Sequence, residues 1–298
     1  MDKTVSVRQL MEQRKKKMSV TMLVEKCVPL LLFSAAFISV LTTVGIVLTL
    51  ISETVLFFKE VSFIQFFTST GLKPLSPTEP KFSILPLLVG TLMTSGIAML
   101  VAIPIGLTTA IYLSEYASER AKKVLKPLIE VLAGIPTIVY GFFAFTFMTP
   151  LLRTIIPSLE PTNVLSPGIV MGIMIIPMVA SLSEDALNSV PKSLREGALA
   201  LGATKLEVTF RVVIPAAMSG IIASFVLAIS RAIGETMIVT IASGSSKHLT
   251  FDITQSMQTM TAYIVEVTSG EAASGTTIYY SLYAVAMTLF VFTLLMNV

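Results

Sequence analysis

Apolar side chains along the 298 residues gather into six long runs, near positions 28–52, 84–113, 124–152, 165–182, 216–243 and 278–298. Crossing a hydrocarbon core as a helix takes about 20 residues, and each run is near or above that length. The runs are continuous instead of alternating. A lipid-exposed backbone must satisfy its own N–H and C=O groups, so continuous runs read as helices and not as barrel strands. The pattern predicts an all-α integral membrane protein with about six transmembrane helices. The first run follows a polar stretch of 27 residues and reads as a retained span, not as a signal sequence.

Composition agrees. The chain is 54% hydrophobic and 13% charged and has no Trp, and its mean hydropathy is +0.84. A water-soluble domain does not have that balance. The single histidine, His248, and single cysteine, Cys27, provide no metal-ligand set and no internal disulfide. With a net charge of +3 and no basic stretch interleaved with aromatics, nucleic acid is not expected as a partner.

Basic residues orient the spans. Of the 21 Lys and Arg, 15 fall in residues 1–27, in 114–126 and in 183–215, whereas 5 fall in the alternate segments. Because the cytoplasmic side retains Lys and Arg, both ends are predicted to be cytoplasmic in a multi-pass protein of the cytoplasmic membrane. Residues 1–27 form a basic N-terminal segment and 28–298 a transmembrane domain. The cluster Arg14, Lys15, Lys16 and Lys17 is suited to orienting the chain and touching anionic membrane lipid. The outer stretches TSTGLKPLSPTEP and TSGEAASGTT read as flexible surface with little helical periodicity.

Two features stand apart. The inner loop 191–215, SVPKSLREGALALGATKLEVTFRVVIP with its two leading residues, is long and patterned. A helix is predicted from Ser193 to Leu201, with Leu194, Ala198 and Leu201 on one face, then a turn at Gly202, with Pro215 opening the next span. Such a helix either offers a knob to another protein or merely joins two spans, and periodicity does not separate the two. The second feature is Arg231, the remaining basic residue, with Glu235 four positions on. Both are expected about halfway along the fifth span, where an arginine costs about 2.5–3.5 kcal/mol on insertion scales. They share a helical face and can pair. One reading is a packing ion pair. The other is a forked donor for an oxyanion, with Glu235 holding the guanidinium or competing with the anion.

The inner loop resembles the cytoplasmic signature of ABC-importer permeases, Glu-Ala-Ala, three residues, Gly, nine residues, Ile, one residue, Leu-Pro. Here it reads Glu196-Gly197-Ala198, Gly202, Val212 and Ile214-Pro215. It departs at Gly197, Val212 and Ile214. The segments IAMLVAIPIGLTTAIYLSEYA, KPLIEVLAGIPTIVYGFF, ALALGATKLEVTFRVVIPAAMSGI and SRAIGETM are similar to permeases of the phosphate-specific ABC importer, PstC type, over roughly residues 85–244. The resemblance implies a type I ABC importer permease fold and a bacterial or archaeal inner membrane. It makes Glu196, Gly197, Ala198, Gly202 and Pro215 the ATPase coupling loop, while the chemistry of the pair makes Arg231 and Glu235 the candidate substrate pathway. It also implies partners: a sister permease of the PstA type, two copies of an ATP-binding subunit, and an extracytoplasmic phosphate-binding protein. No cofactor is expected in this chain, since ATP would be bound by the partner ATPase.

Smaller features have structural readings beside functional ones. Pro104, Pro136 and Pro177 predict kinks, as hinges or as static bends. Gly168 and Gly172 allow close helix approach. Gly134, Pro136, Tyr140 and Gly141 either line the path or pack. No G-x-x-x-x-G-K-[ST] loop, H-E-x-x-H or G-x-S-x-G appears, so the chain offers no candidate for ATP hydrolysis or other catalysis. Sulfate or molybdate import, an ion-gradient-driven secondary transporter, and a membrane-embedded enzyme remain the competing classes.

Overall fold

The computed structural model describes residues 7–74, 76, 80–270 and 272–298, with side chains at 24, 25 and from Cys27 onward. The chain divides into two compact units, 1–52 and 53–298. Helix α1 (Val7–Glu60) supplies all the described structure of the first. From Val28 to Leu41 its side chains, such as Leu31 and Phe33, are exposed, an apolar surface that suits lipid or another membrane protein. The side chains of Arg14, Lys15, Lys16 and Lys17 lie outside the described residues.

The second unit is nearly all helix. Its elements after the end of α1 are α2 (Phe63–Thr68), α3 (Leu85–Ile111), α4 (Glu119–Gly134), α5 (Thr137–Phe143), α6 (Thr149–Ile155) and α7 (Leu165–Asn188). They continue with α8 (Lys192–Ala200), α9 (Lys205–Val208), α10 (Ile214–Ile233), α11 (Met237–Ala242), α12 (Met260–Ser269) and α13 (Thr277–Asn297). Among the described residues six helical stretches are long and apolar enough to cross a membrane: Cys27–Glu60, Leu85–Tyr116, Thr137–Ile155, Leu165–Asn188, Lys205–Ile233 and Thr277–Asn297. π-helical turns join α5 to α6 and α9 to α10 without interrupting those spans.

The spine is the pair α3 and α7. A Cβ on Gly168 would lie 2.8 Å from Ile97, one on Gly172 2.7 Å from Val101, and one on Gly106 2.7 Å from Val179. The G-x-x-x-G pair is therefore packing, because only hydrogen fits where the two backbones approach. Helix α10 runs antiparallel to α7, with Gly220 against Ala186 and Ser183 Oγ 2.8 Å from Ser224 Oγ.

Four of the six runs are bounded differently from expectation: the first and fourth extend to Glu60 and Asn188, and the third and fifth are shifted. The third begins at Thr137 and not near 124. Ile135 is extended (φ −70°, ψ 129°) and Pro136 starts the next helix, because proline lacks an N–H and disfavours helical backbone in the residue before it. The preceding α4 is a separate amphipathic helix with no buried residue. The fifth starts at Lys205, earlier than expected, and stops at Ile233 instead of running to 243. Pro215 lies inside that span, just after the wide turn Thr209–Val213, which accommodates the missing N–H.

The stretch 68–80, expected as a flexible outer loop, is tied to the bundle at its described residues. Phe57, Phe66 and Phe82 are buried together with Tyr263 and Met260, in edge-to-face contacts of 5.3 Å and 5.5 Å between ring centroids. Gly71 bridges to His248 and Lys73 to Lys81, so the aromatic cap pins the polar loops. Residues 75, 77–79 and 271 lie outside the described residues.

Candidate functional site

Helix α10 ends where Arg231 and Glu235 sit. Ser224 is level with Ser183, and seven residues at about 1.5 Å each carry Arg231 to the level of Ile176, the middle of α7. The pair is thus near mid-depth, as expected, but not in mid-helix. The chain turns at Gly234, and α11 starts afresh at Met237.

Glu235 makes that break possible. Its side chain is 2% exposed, and its Oε2 accepts from Arg231 Nη1 at 2.6 Å. Oε1 accepts from the backbone N–H of Met237 at 3.1 Å and Ile238 at 3.4 Å. Helix starts leave N–H groups without intrahelical partners, and here a carboxylate supplies the acceptor. Its own backbone carbonyl accepts from Thr261 Oγ1 at 2.7 Å. Three donors thus fix this buried carboxylate, the geometry of a positioning residue.

Arg231 is held but not consumed. Its side chain remains 41% exposed and reaches a cavity of about 310 Å³ between α4, α7 and α10, also lined by Glu130, Thr137, Ser181 and Met174. A guanidinium has five donors in a planar fork, and one of them is engaged by Glu235. The others suit a planar or tetrahedral oxyanion. Among the described residues no group of three His, Cys, Asp or Glu is placed to hold a metal.

Tyr140 and Gly141 belong to packing. The Tyr140 hydroxyl donates to Leu132 O at 2.8 Å, tying α5 back to the end of α4. A Cβ on Gly141 would meet Ile241 Cδ1 at 2.9 Å, so the glycine seats α11.

At the far end of α7 lies α8. Helix and turn fall where expected: α8 ends at Ala200 and Gly202 takes φ +87°, a conformation that favours glycine. Glu196 and Gly197 face outward, and a Cβ on either Gly197 or Gly202 would meet nothing within 4 Å. The expected common face of Leu194, Ala198 and Leu201 is split. Ala198 packs against the cluster of Leu187, Val208 and Val213, whereas Leu194 is 49% and Leu201 90% exposed. Leu201 lies beyond the last helical residue, so helical spacing no longer governs it. Arg195 anchors α8, with Nη2 3.0 Å from Glu115 Oε1 and 2.6 Å from Leu187 O. A capping box follows, Thr204 with Glu207. The Thr204 N–H and hydroxyl both donate to Glu207 Oε2 at 2.9 Å.

Sequence reasoning did not single out Glu130, Thr137 and Ser181 for this cavity. They come from three separate stretches of chain, and only the amphipathic spacing of Lys126 and Glu130 hinted that α4 has a polar face.

A helical bundle that breaks one helix at mid-depth to present an arginine, and carries a short exposed helix at one end, has the architecture of a membrane transport subunit. The chain belongs to the family of binding-protein-dependent transport system inner membrane components, matched over residues 102–298. It is 35% identical over 235 residues to the probable ABC transporter permease protein YqgH of Bacillus subtilis (strain 168), covering 79% of this chain and 75% of that one. It is also 35% identical over 240 residues to the phosphate transport system permease protein PstC of Mesorhizobium japonicum, covering 74% and 72%. In fold it is similar to a chain of a bacterial alginate ABC transporter, with a TM-score of 0.64 at 15% identity over 90% of this chain and 91% of that one.

Proposed function

We propose that this chain is the permease subunit of an ATP-driven importer that moves inorganic phosphate into the cytoplasm by alternating access. The observation that carries the reading is the Arg231 guanidinium, fixed by Glu235 and open to a cavity at mid-depth. Relatives named as phosphate permeases support phosphate as the cargo.

In this reading the α8 end faces the cytoplasm, with the N-terminus on the same side. The exposed Leu194, Glu196 and Leu201 of the 191–215 loop meet a partner ATPase that binds and hydrolyses ATP. A sister permease completes the pore, two ATPase copies drive it, and an extracytoplasmic binding protein delivers phosphate to the opposite face. No covalent chemistry on phosphate is needed. The anion exchanges water for guanidinium donors and leaves when the pore reopens, which requires a favourable but shallow site.

The test is ATP-dependent uptake of radiolabelled phosphate by the assembled complex, beside Arg231→Gln at equal insertion. Wild-type uptake lost in the variant is the expected result. Uptake of sulfate or molybdate instead of phosphate would overturn the cargo, and undiminished uptake by the variant would overturn the role of Arg231.

A further inference from the structure

Toward the α8 end, the Arg231 cavity adjoins a smaller void of about 40 Å³. Ile129, Glu130 and Ser181 line both. Lys126 of α4 reaches across the smaller one, its Nζ 2.8 Å from Glu184 Oε1 on α7. Glu184 is 4% exposed in its side chain and Lys126 44%. The hydrogen bond to Glu184 raises Lys126 above its ordinary 10.5 despite partial burial, so the ammonium is charged at any physiological pH. Helix α4 buries none of its own residues, and this ion pair ties it to α7.

The same carboxylate begins a polar chain that ends on α8. Asn188 Nδ2 donates to Glu184 Oε1 at 3.3 Å, and Ser114 Oγ donates to Asn188 Oδ1 at 3.0 Å. Ser114 neighbours Glu115, whose Oε1 holds Arg195 Nη2 at 3.0 Å. A shift of α8 is therefore linked to the groups around Glu184 through Arg195, Glu115, Ser114 and Asn188.

We propose that the Lys126–Glu184 pair is a latch on the cytoplasmic exit of the Arg231 cavity, and that α8 works it through Arg195, Glu115, Ser114 and Asn188. The proposal rests on the importer reading for its direction. An ion pair with one partner buried, as Glu184 is, is seldom the most stable way to join two helices, since apolar residues of similar volume often do as well or better. Parting it, by contrast, is abrupt, because separating the charges leaves Glu184 without its counter-ion. The parted Lys126 also offers a cation to an anion leaving Arg231, on a path otherwise faced by Glu130 and Glu184.

The experiment reads access to the small void without relying on transport. Ala180, fully buried and lining the void, is replaced by cysteine in a Cys27→Ser background, in the complete complex in inside-out vesicles. The rate of labelling by a membrane-impermeant thiol reagent is then measured. Labelling is expected to be slow with the pair intact and about tenfold faster with Lys126→Gln, whose half-exposed site tolerates the change. The charge swap Lys126→Glu with Glu184→Lys is expected to return it towards the slow rate. Equal rates in all three, or a swap as fast as the single variant, would overturn the latch. Phosphate uptake by the wild-type complex, measured alongside, separates failure of the importer reading from failure of the latch.

Discussion

Replacing Glu235 by Gln tests whether the break in the fifth span exists to aim Arg231. The amide oxygen can still accept from the Met237 and Ile238 N–H groups, so the start of α11 survives. What disappears is the charge-assisted bond at 2.6 Å, replaced by an NH2 facing a guanidinium, two donors with nothing between them. A hydrogen bond to a charged group contributes about 1.5–3 kcal/mol. Solvent at the 41% exposed arginine screens the pair and moves the figure to the lower end, about 1.5–2 kcal/mol. That is roughly 10- to 30-fold in the equilibrium between an aimed and a free guanidinium. Maximal phosphate uptake by the reconstituted complex is expected to fall about tenfold, with half-maximal concentration still set by the binding protein. The thermal midpoint, compared at one scan rate because such unfolding is seldom reversible, is expected to drop by a few degrees. In Arg231→Gln with Glu235→Gln the midpoint partly recovers, because no guanidinium faces the amide, while uptake stays lost. Wild-type uptake and midpoint in Glu235→Gln would refute the reasoning.

Three further outcomes follow from the geometry. Gly172→Val puts a Cβ 2.7 Å from Val101 and 2.8 Å from Ala98 O, so overpacking by about 1–3 kcal/mol should lower complex yield and thermal midpoint; Gly96→Ala, with open space around it, should do neither. Gly202→Ala meets no atom but forces an L-residue to φ +87°, a strain of about 1–2 kcal/mol, and is expected to insert normally while transport-stimulated ATP hydrolysis by the partner falls. Glu207→Ala removes the acceptor of the Thr204 N–H and hydroxyl and is expected to lower the thermal midpoint slightly, whereas Glu207→Gln, which keeps an amide oxygen as acceptor, should lower it less.

Much of the fold was legible because lipid imposes one simple rule, that apolar length must match a bilayer. The rule locates spans and is blind to where a helix stops inside an apolar run. Ile135-Pro136 and Gly234-Glu235 both interrupt such runs. The first carries a readable mark, a proline after the charged Lys126 and Glu130. The second does not, since Glu235 reads as one residue of a helical pair until the structure shows it capping Met237 and Ile238. The helix and turn of loop 191–215 were legible to within a residue because Gly202 is a local signal, but its end was not, since Pro215 lies inside the span that begins at Lys205. The cavity was not, because Glu130, Thr137, Ser181 and Arg231 meet only through packing of α4, α7 and α10. The aromatic cap was missed for a related reason: Phe57, Phe66 and Phe82 flank polar loops, and their clustering is a long-range fact.

If the Arg231 cavity is the phosphate path, the charges around it suit a site that would pass an anion instead of keeping it. A fresh helix start at mid-depth is a ready anion site, with free N–H groups and the positive end of the helix dipole. Here Glu235 already occupies it, so the N-terminus of α11 adds nothing to the attraction. The remaining cation is matched by Glu235 on one side, while Glu130 lines the same cavity. An entering oxyanion therefore gains directional hydrogen bonds from Arg231 without a deep electrostatic well. Lys126 is the next cation along α4, and it is tied to Glu184. With the pair closed, the Lys126 ammonium beyond Arg231 is tied to Glu184, beside Glu130; with it open, that ammonium would face the path. Directionality then comes from when Lys126 is released, and that timing belongs to α8, where the energy of the ATPase would enter.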